Sequence, residues 1–92
     1  MNIRYSLVAE RALADIEKYY TNFSKGACSN VLNDIDSVID LLSGQPEIGR
    51  LHASKKFRLI VTAKYRFVII YRLDSDYVSI LDIYRYQNKN YI

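Results

Sequence analysis

The feature that most constrains this 92-residue chain is a change of hydrophobic period near Gly49. Before it, apolar residues recur every three or four positions, as on a helix that buries one stripe. After it they alternate, as on a strand that buries one face. Ala9, Ala12, Leu13, Ile16, Tyr20 and Phe23 make the first stripe, with Glu10, Arg11, Asp15, Glu17 and Lys18 largely outside it. Ser6 stands just before this helix, where a hydroxyl accepts a hydrogen bond from an otherwise orphaned backbone N–H. Asn22 to Gly26 reads as a turn. The helical period resumes at Ala27 and passes through Cys28, Val31, Leu32, Ile35, Val38, Ile39 and Leu42 before Gly44 and Pro46 stop it. Two helices so closely joined form an antiparallel hairpin.

The second half is rich in β-branched and aromatic residues. Strands are expected over Phe57–Thr62, Arg66–Arg72 and Tyr77–Tyr84, separated by Ala63-Lys64-Tyr65 and by Asp74-Ser75-Asp76. These make a three-stranded antiparallel meander. With a short alternating strand at Asn2–Ser6, the order is βααβββ, an α+β sandwich in which the helix hairpin packs on an antiparallel sheet. One sheet face meets the hairpin and the other meets solvent or a ligand.

Ninety-two residues supply one core, so residues 1–92 are expected to form a single domain. Half the residues are hydrophobic, a quarter are charged, and three Gly and one Pro are too few for a disordered or low-complexity chain. The lone Cys28 forms no internal disulfide and is expected to be a small core residue on the helical stripe. With no Cys/His cluster to hold zinc, neither metal nor cofactor is implied. A reducing, cytoplasmic setting is expected. Apolar runs such as Phe67–Tyr71 fall far short of the roughly 20 residues that span a bilayer, and the N-terminus lacks a signal-peptide core, so no membrane association is expected.

Charge follows the same division. Residues 1–49 carry four bases against seven acids, a net −3, whereas residues 50–92 carry nine bases against three acids, a net +6. That polarity suits a face prepared for a polyanion or for an acidic protein partner. Lys56 and Arg58 stand at alternate positions entering a strand and are expected to leave on the same side. Arg66 begins the next strand and Arg85 ends the last, so all four are expected to converge on the open sheet face. Each base alone reads as a solvated strand end or a partner of Asp74, Asp76 or Asp82; the cluster carries the functional reading. His52 reads as an exposed loop residue. Gly49 reads as a turn residue with positive φ. Tyr84, Tyr86 and Tyr91, near the basic end, are candidates for stacking on bases.

Pro46-Glu47-Ile48-Gly49-Arg50, then Arg58, then Lys64-Tyr65-Arg66-Phe67-Val68-Ile69-Ile70-Tyr71, then Ile80-Leu81-Asp82-Ile83 and Gln87 form an ordered set that spans nearly the whole chain. Taken together they resemble the RelE/ParE superfamily of bacterial type II toxin–antitoxin toxins. The resemblance implies a cognate antitoxin, a DNA-binding protein whose acidic, amphipathic segment folds on the toxin, with operator DNA bound only through the antitoxin. It also implies one of two activities. In RelE-like members, basic residues hold mRNA on the ribosome and stabilise the charge that develops on phosphorus, for which the planar guanidinium fork is suited. On that pattern Arg66, Arg85 and Tyr91 take the catalytic places, Tyr91 as the proton-transfer group, and Lys56, Arg58 and Lys64 bind RNA phosphates. ParE-like members are understood instead to inhibit DNA gyrase without catalysis. This chain has the bases of the first group but lacks the C-terminal His common in it, having Tyr84 and Arg85 there. The balance of bases favours ribosome-dependent mRNA cleavage, with gyrase inhibition as the alternative.

Overall fold

The computed structural model describes residues 1–86. Its elements run β1 (Asn2–Tyr5), α1 (Leu7–Thr21), α2 (Lys25–Gly44), β2 (Arg50–Leu51), β3 (Arg58–Val61), β4 (Phe67–Leu73) and β5 (Tyr77–Arg85). The five strands form one mixed sheet in the order β1-β5-β4-β3-β2. β1 lies parallel to β5 and the other neighbours are antiparallel.

Caps set both helix starts. Ser6 Oγ accepts the Ala9 N–H at 3.0 Å and donates to the Leu81 carbonyl at 2.8 Å, so one hydroxyl begins α1 and ties it to β5. Ser24 Oγ accepts the Ala27 N–H at 2.9 Å, which starts α2 at Lys25, two residues before the position suggested by the apolar period. No helix among the described residues is long and apolar enough to cross a membrane.

The helices cover one sheet face. Val31, Ile35, Ile39 and Leu42 of α2 and Ala9 of α1 meet Phe67, Ile69, Tyr71, Val78, Ile80 and Ile83 of the sheet. Full burial of a side chain such as Ile35 or Phe67 is worth roughly 2–3 kcal/mol. Cys28 is buried on the α2 stripe as expected. A bulge shifts the β4–β5 register, so that Ile70 faces Asp82 and Tyr71 faces Ile80, leaving Leu81 as the extra residue. Ile80 and Ile83, an odd number of positions apart, therefore both reach the helix-covered core.

The opposite face is apolar at its centre. Leu59, Val68, Ile70 and Tyr84 are buried there, packed with Phe57, Val61, Leu81 and Tyr86. Tyr84 thus belongs to a packed cluster and offers no free ring to a base.

Candidate functional site

Arg58 opens β3 opposite Tyr71, and directly opposed residues of an antiparallel pair share a face. Tyr71 is a core residue, so Arg58 leaves toward the helix side. Its Nη1 donates to the carbonyls of Glu47 at 3.1 Å and Gly49 at 2.9 Å. Lys56 is exposed in the loop before β3. The alternation argument assumed extended backbone from position 56, whereas β3 begins at Arg58 and Lys55 turns into the left-handed region at φ 63°. Lys56 and Arg58 are therefore not a strand pair.

At the other end of the sheet, the turn at residues 63–66 carries Lys64 and Arg66. Arg66 has φ 60°, and its carbonyl accepts the Tyr86 N–H at 3.0 Å while its guanidinium carbon lies 5.0 Å from the Tyr86 ring centroid. Arg85 pairs with Phe67 and so leaves on the helix side, its guanidinium carbon 6.0 Å from the Tyr19 ring centroid. Arg66 and Arg85 share an end of the sheet, with Tyr86 on the open-face cluster and Tyr19 on α1 as their separate ring contacts. Four residues of strand, about 13 Å, separate that end from Arg58. The expected convergence of Lys56, Arg58, Arg66 and Arg85 on one open face is corrected on these grounds: strand parity sends Arg58 and Arg85 to the helix side, and the two pairs occupy opposite ends. Tyr91 lies outside the described residues.

Two groups that the sequence reading passed over organise these regions. Asp34 is buried on α2, and its carboxylate accepts the N–H of Lys64 at 3.2 Å and of Tyr65 at 2.8 Å. Burial by itself would raise the Asp34 pKa; hydrogen bonds from Thr62, Tyr65 and Lys64, with the Lys64 charge, outweigh it and hold the carboxyl below its usual range. The signal was present, since position 34 falls three residues after Val31 and four before Val38, inside the apolar stripe.

Tyr71 is the second. Its hydroxyl donates to the Pro46 carbonyl at 2.8 Å and accepts the Gly49 N–H at 2.8 Å. Burial raises its pKa against the opposing Gly49 hydrogen bond and Arg58 charge, and burial with Asp36 and Asp40 raises that of Tyr5. Both shifts move away from the phenolate that a general base requires. Gly49 has no positive φ; a Cβ there would lie 2.5 Å from the Tyr71 hydroxyl oxygen and 2.9 Å from the Leu59 carbonyl oxygen. Glycine is required by close approach and not by a turn.

On the open face, Ile48, Gly49, Arg50, Leu59, Val61 and Tyr86 help to line a groove of about 320 Å³. His52, half-buried, stacks on Phe57 with centroids 4.3 Å apart and its Nδ1 lies 2.9 Å from Ser54 Oγ, which makes it part of the loop's framework.

Comparison with known proteins gives a consistent picture. A family model described as the ParE toxin of type II toxin–antitoxin systems matches residues 3–89. A protein of Sinorhizobium fredii named "Putative toxin Y4kP" is 33% identical over 81 residues, which make up 88% of this chain and 83% of that protein. A solved structure described as the chromosomal ParDE TA system from P. aeruginosa covers 92% of this chain and 95% of its own at TM-score 0.78 and 19% identity, a likeness of fold.

Proposed function

This chain belongs to the ParE family of toxins of type II toxin–antitoxin systems, and from that premise we propose that it arrests growth by binding DNA gyrase and not by cutting RNA. A toxin of this family has a cognate antitoxin as partner. The observation that carries the non-enzymatic reading is the dispersal of the bases. Phosphoryl-transfer chemistry needs donors aimed together at the oxygens that gain charge. Here the Arg58 guanidinium is engaged by two backbone carbonyls, and Arg66 and Arg85 lie against different rings, of Tyr86 and Tyr19.

Within this reading Arg66, Arg85 and Lys64 are exposed groups with no reacting phosphate between them, and contact with the target does not rest on Arg66 and Arg85. The apolar groove beside Arg50 adds hydrophobic area of the kind that protein interfaces use.

The test is expression without the antitoxin, with DNA supercoiling by gyrase and mRNA 5′ ends followed separately. Supercoiling is expected to fall and DNA breaks to rise while mRNA ends stay unchanged. The Arg66→Ala/Arg85→Ala double variant is expected to keep most of its toxicity. New ribosome-dependent mRNA ends that disappear in that variant would overturn the proposal in favour of an mRNA interferase.

A further inference from the structure

Far from the Arg66 turn, a groove of about 290 Å³ lies between the 52–57 loop, β2 and the end of β4. Four of its seven lining residues are cationic, Lys55, Lys56, Arg58 and Arg72, and none is acidic. Among the described residues the ion pair present is Arg72 Nε with Asp74 Oδ1 at 3.2 Å, so Lys55, Lys56 and Arg58 have no carboxylate partner there. Asp74 offsets Arg72, and the charge of Lys55, Lys56 and Arg58 is left without an ion-paired carboxylate.

The loop that presents the two lysines is pre-organised. The His52 N–H donates to the Phe57 carbonyl at 2.9 Å, the Lys55 N–H to the His52 carbonyl at 2.8 Å, and the Lys56 N–H to Ser54 Oγ at 3.3 Å. Lys55 occupies the left-handed region, which costs a non-glycine residue about 1–3 kcal/mol and persists only where its surroundings enforce it.

We propose that this groove binds the phosphate backbone of duplex DNA. Its cations suit a row of diffuse anions. Arg58 Nη1 already donates to two carbonyls and Arg72 Nε to Asp74, so the exposed ammonium groups of Lys55 and Lys56 lead the contact, as point charges that bind phosphate without a fixed planar geometry. Single-stranded nucleic acid is held chiefly by rings on which bases stack. The one aromatic lining this groove is Phe57, whose ring already stacks on His52 at an interplanar angle of 18°. A backbone-only contact carries no base readout and is strongly salt-dependent. The inference is independent of the gyrase reading, because it concerns the toxin and bare DNA.

The test is fluorescence anisotropy of a labelled mixed-sequence duplex titrated with the full-length toxin between about 50 and 200 mM salt. Three phosphate contacts, from Lys55, Lys56 and Arg58, give a slope of log K against log salt of about −3. Lys55→Gly/Lys56→Ala, in which glycine keeps the left-handed backbone, is expected to flatten the slope by about 2 and weaken binding at least tenfold at the lowest salt. Lys18→Ala/Lys25→Ala removes the same charge from the helices and is expected to leave the slope unchanged; circular dichroism of both variants checks that they fold. Three results would each overturn the proposal: no binding at low salt, equal loss in the two double variants, or tighter binding of single-stranded RNA or of polyglutamate than of the duplex.

Discussion

Two connections at opposite ends of the sheet each hold a non-glycine residue in the left-handed region, Lys55 at φ 63° and Arg66 at φ 60°, and they are stabilised in different ways. The 52–57 loop holds itself: His52, Ser54 and Phe57 supply the partners for its own N–H and C=O groups and a ring stack besides. The 63–66 turn is held from α2, because Asp34 takes the N–H groups of Lys64 and Tyr65 across some thirty positions of sequence. Similar backbone strain is thus offset by near neighbours in one place and by a remote carboxylate in the other. The remote solution couples a helix to a turn, so damage at Asp34 reaches farther than damage within the loop.

Asp34→Ala is the strongest way to break this contrast. It leaves two turn N–H groups and the buried Thr62 hydroxyl without their acceptor, and a loss of about 2–4 kcal/mol is expected in urea unfolding. A smaller effect is expected from acid. Because the folded pKa of Asp34 is lowered, its contribution is whole above the unfolded value near 3.9 and is lost as pH falls through the folded value. The stability gap between wild type and Asp34→Asn is therefore expected to narrow below about pH 4, and a gap that stays constant would argue against the carboxylate as the tether. Ser54→Ala removes the acceptor of the Lys56 N–H in an exposed loop and is expected to cost about 0.5–1 kcal/mol, read as a small shift in the unfolding midpoint. The least effect belongs to Lys55→Gly and Arg66→Gly, which relieve the left-handed strain while loosening the unfolded chain. Each is expected to stay within about 1 kcal/mol of wild type, and a loss above that would show that the side chain itself holds the turn.

What could be read from the sequence was mainly what depends on local order. Both helices, the Ser6 cap and the meander follow from period and capping chemistry, and the structure has them. β2 was not legible, since two residues, Arg50 and Leu51, show no alternation and form a strand only because Leu59 and Arg58 offer partners. The bulge was equally hidden, and it changes which β5 residues face the core. The site was legible as a list of basic residues and not as an arrangement. Where each guanidinium goes depends on where β3 starts and on which face Tyr71 occupies, and both are decided by tertiary pairing. Asp34 was recoverable as a charge inside an apolar stripe, but its partners were not.

The pairing of β1 with β5 has its own consequence for how the molecule comes into being. Ile3 sits beside Val78 and Tyr5 beside Ile80, so β1 waits until β5 has been synthesised before it acquires this neighbour. Closing so long a loop is slow and entropically costly, and local helix contacts cannot substitute for it. A nascent chain stalled short of Tyr77 holds a complete helix hairpin beside an unfinished sheet.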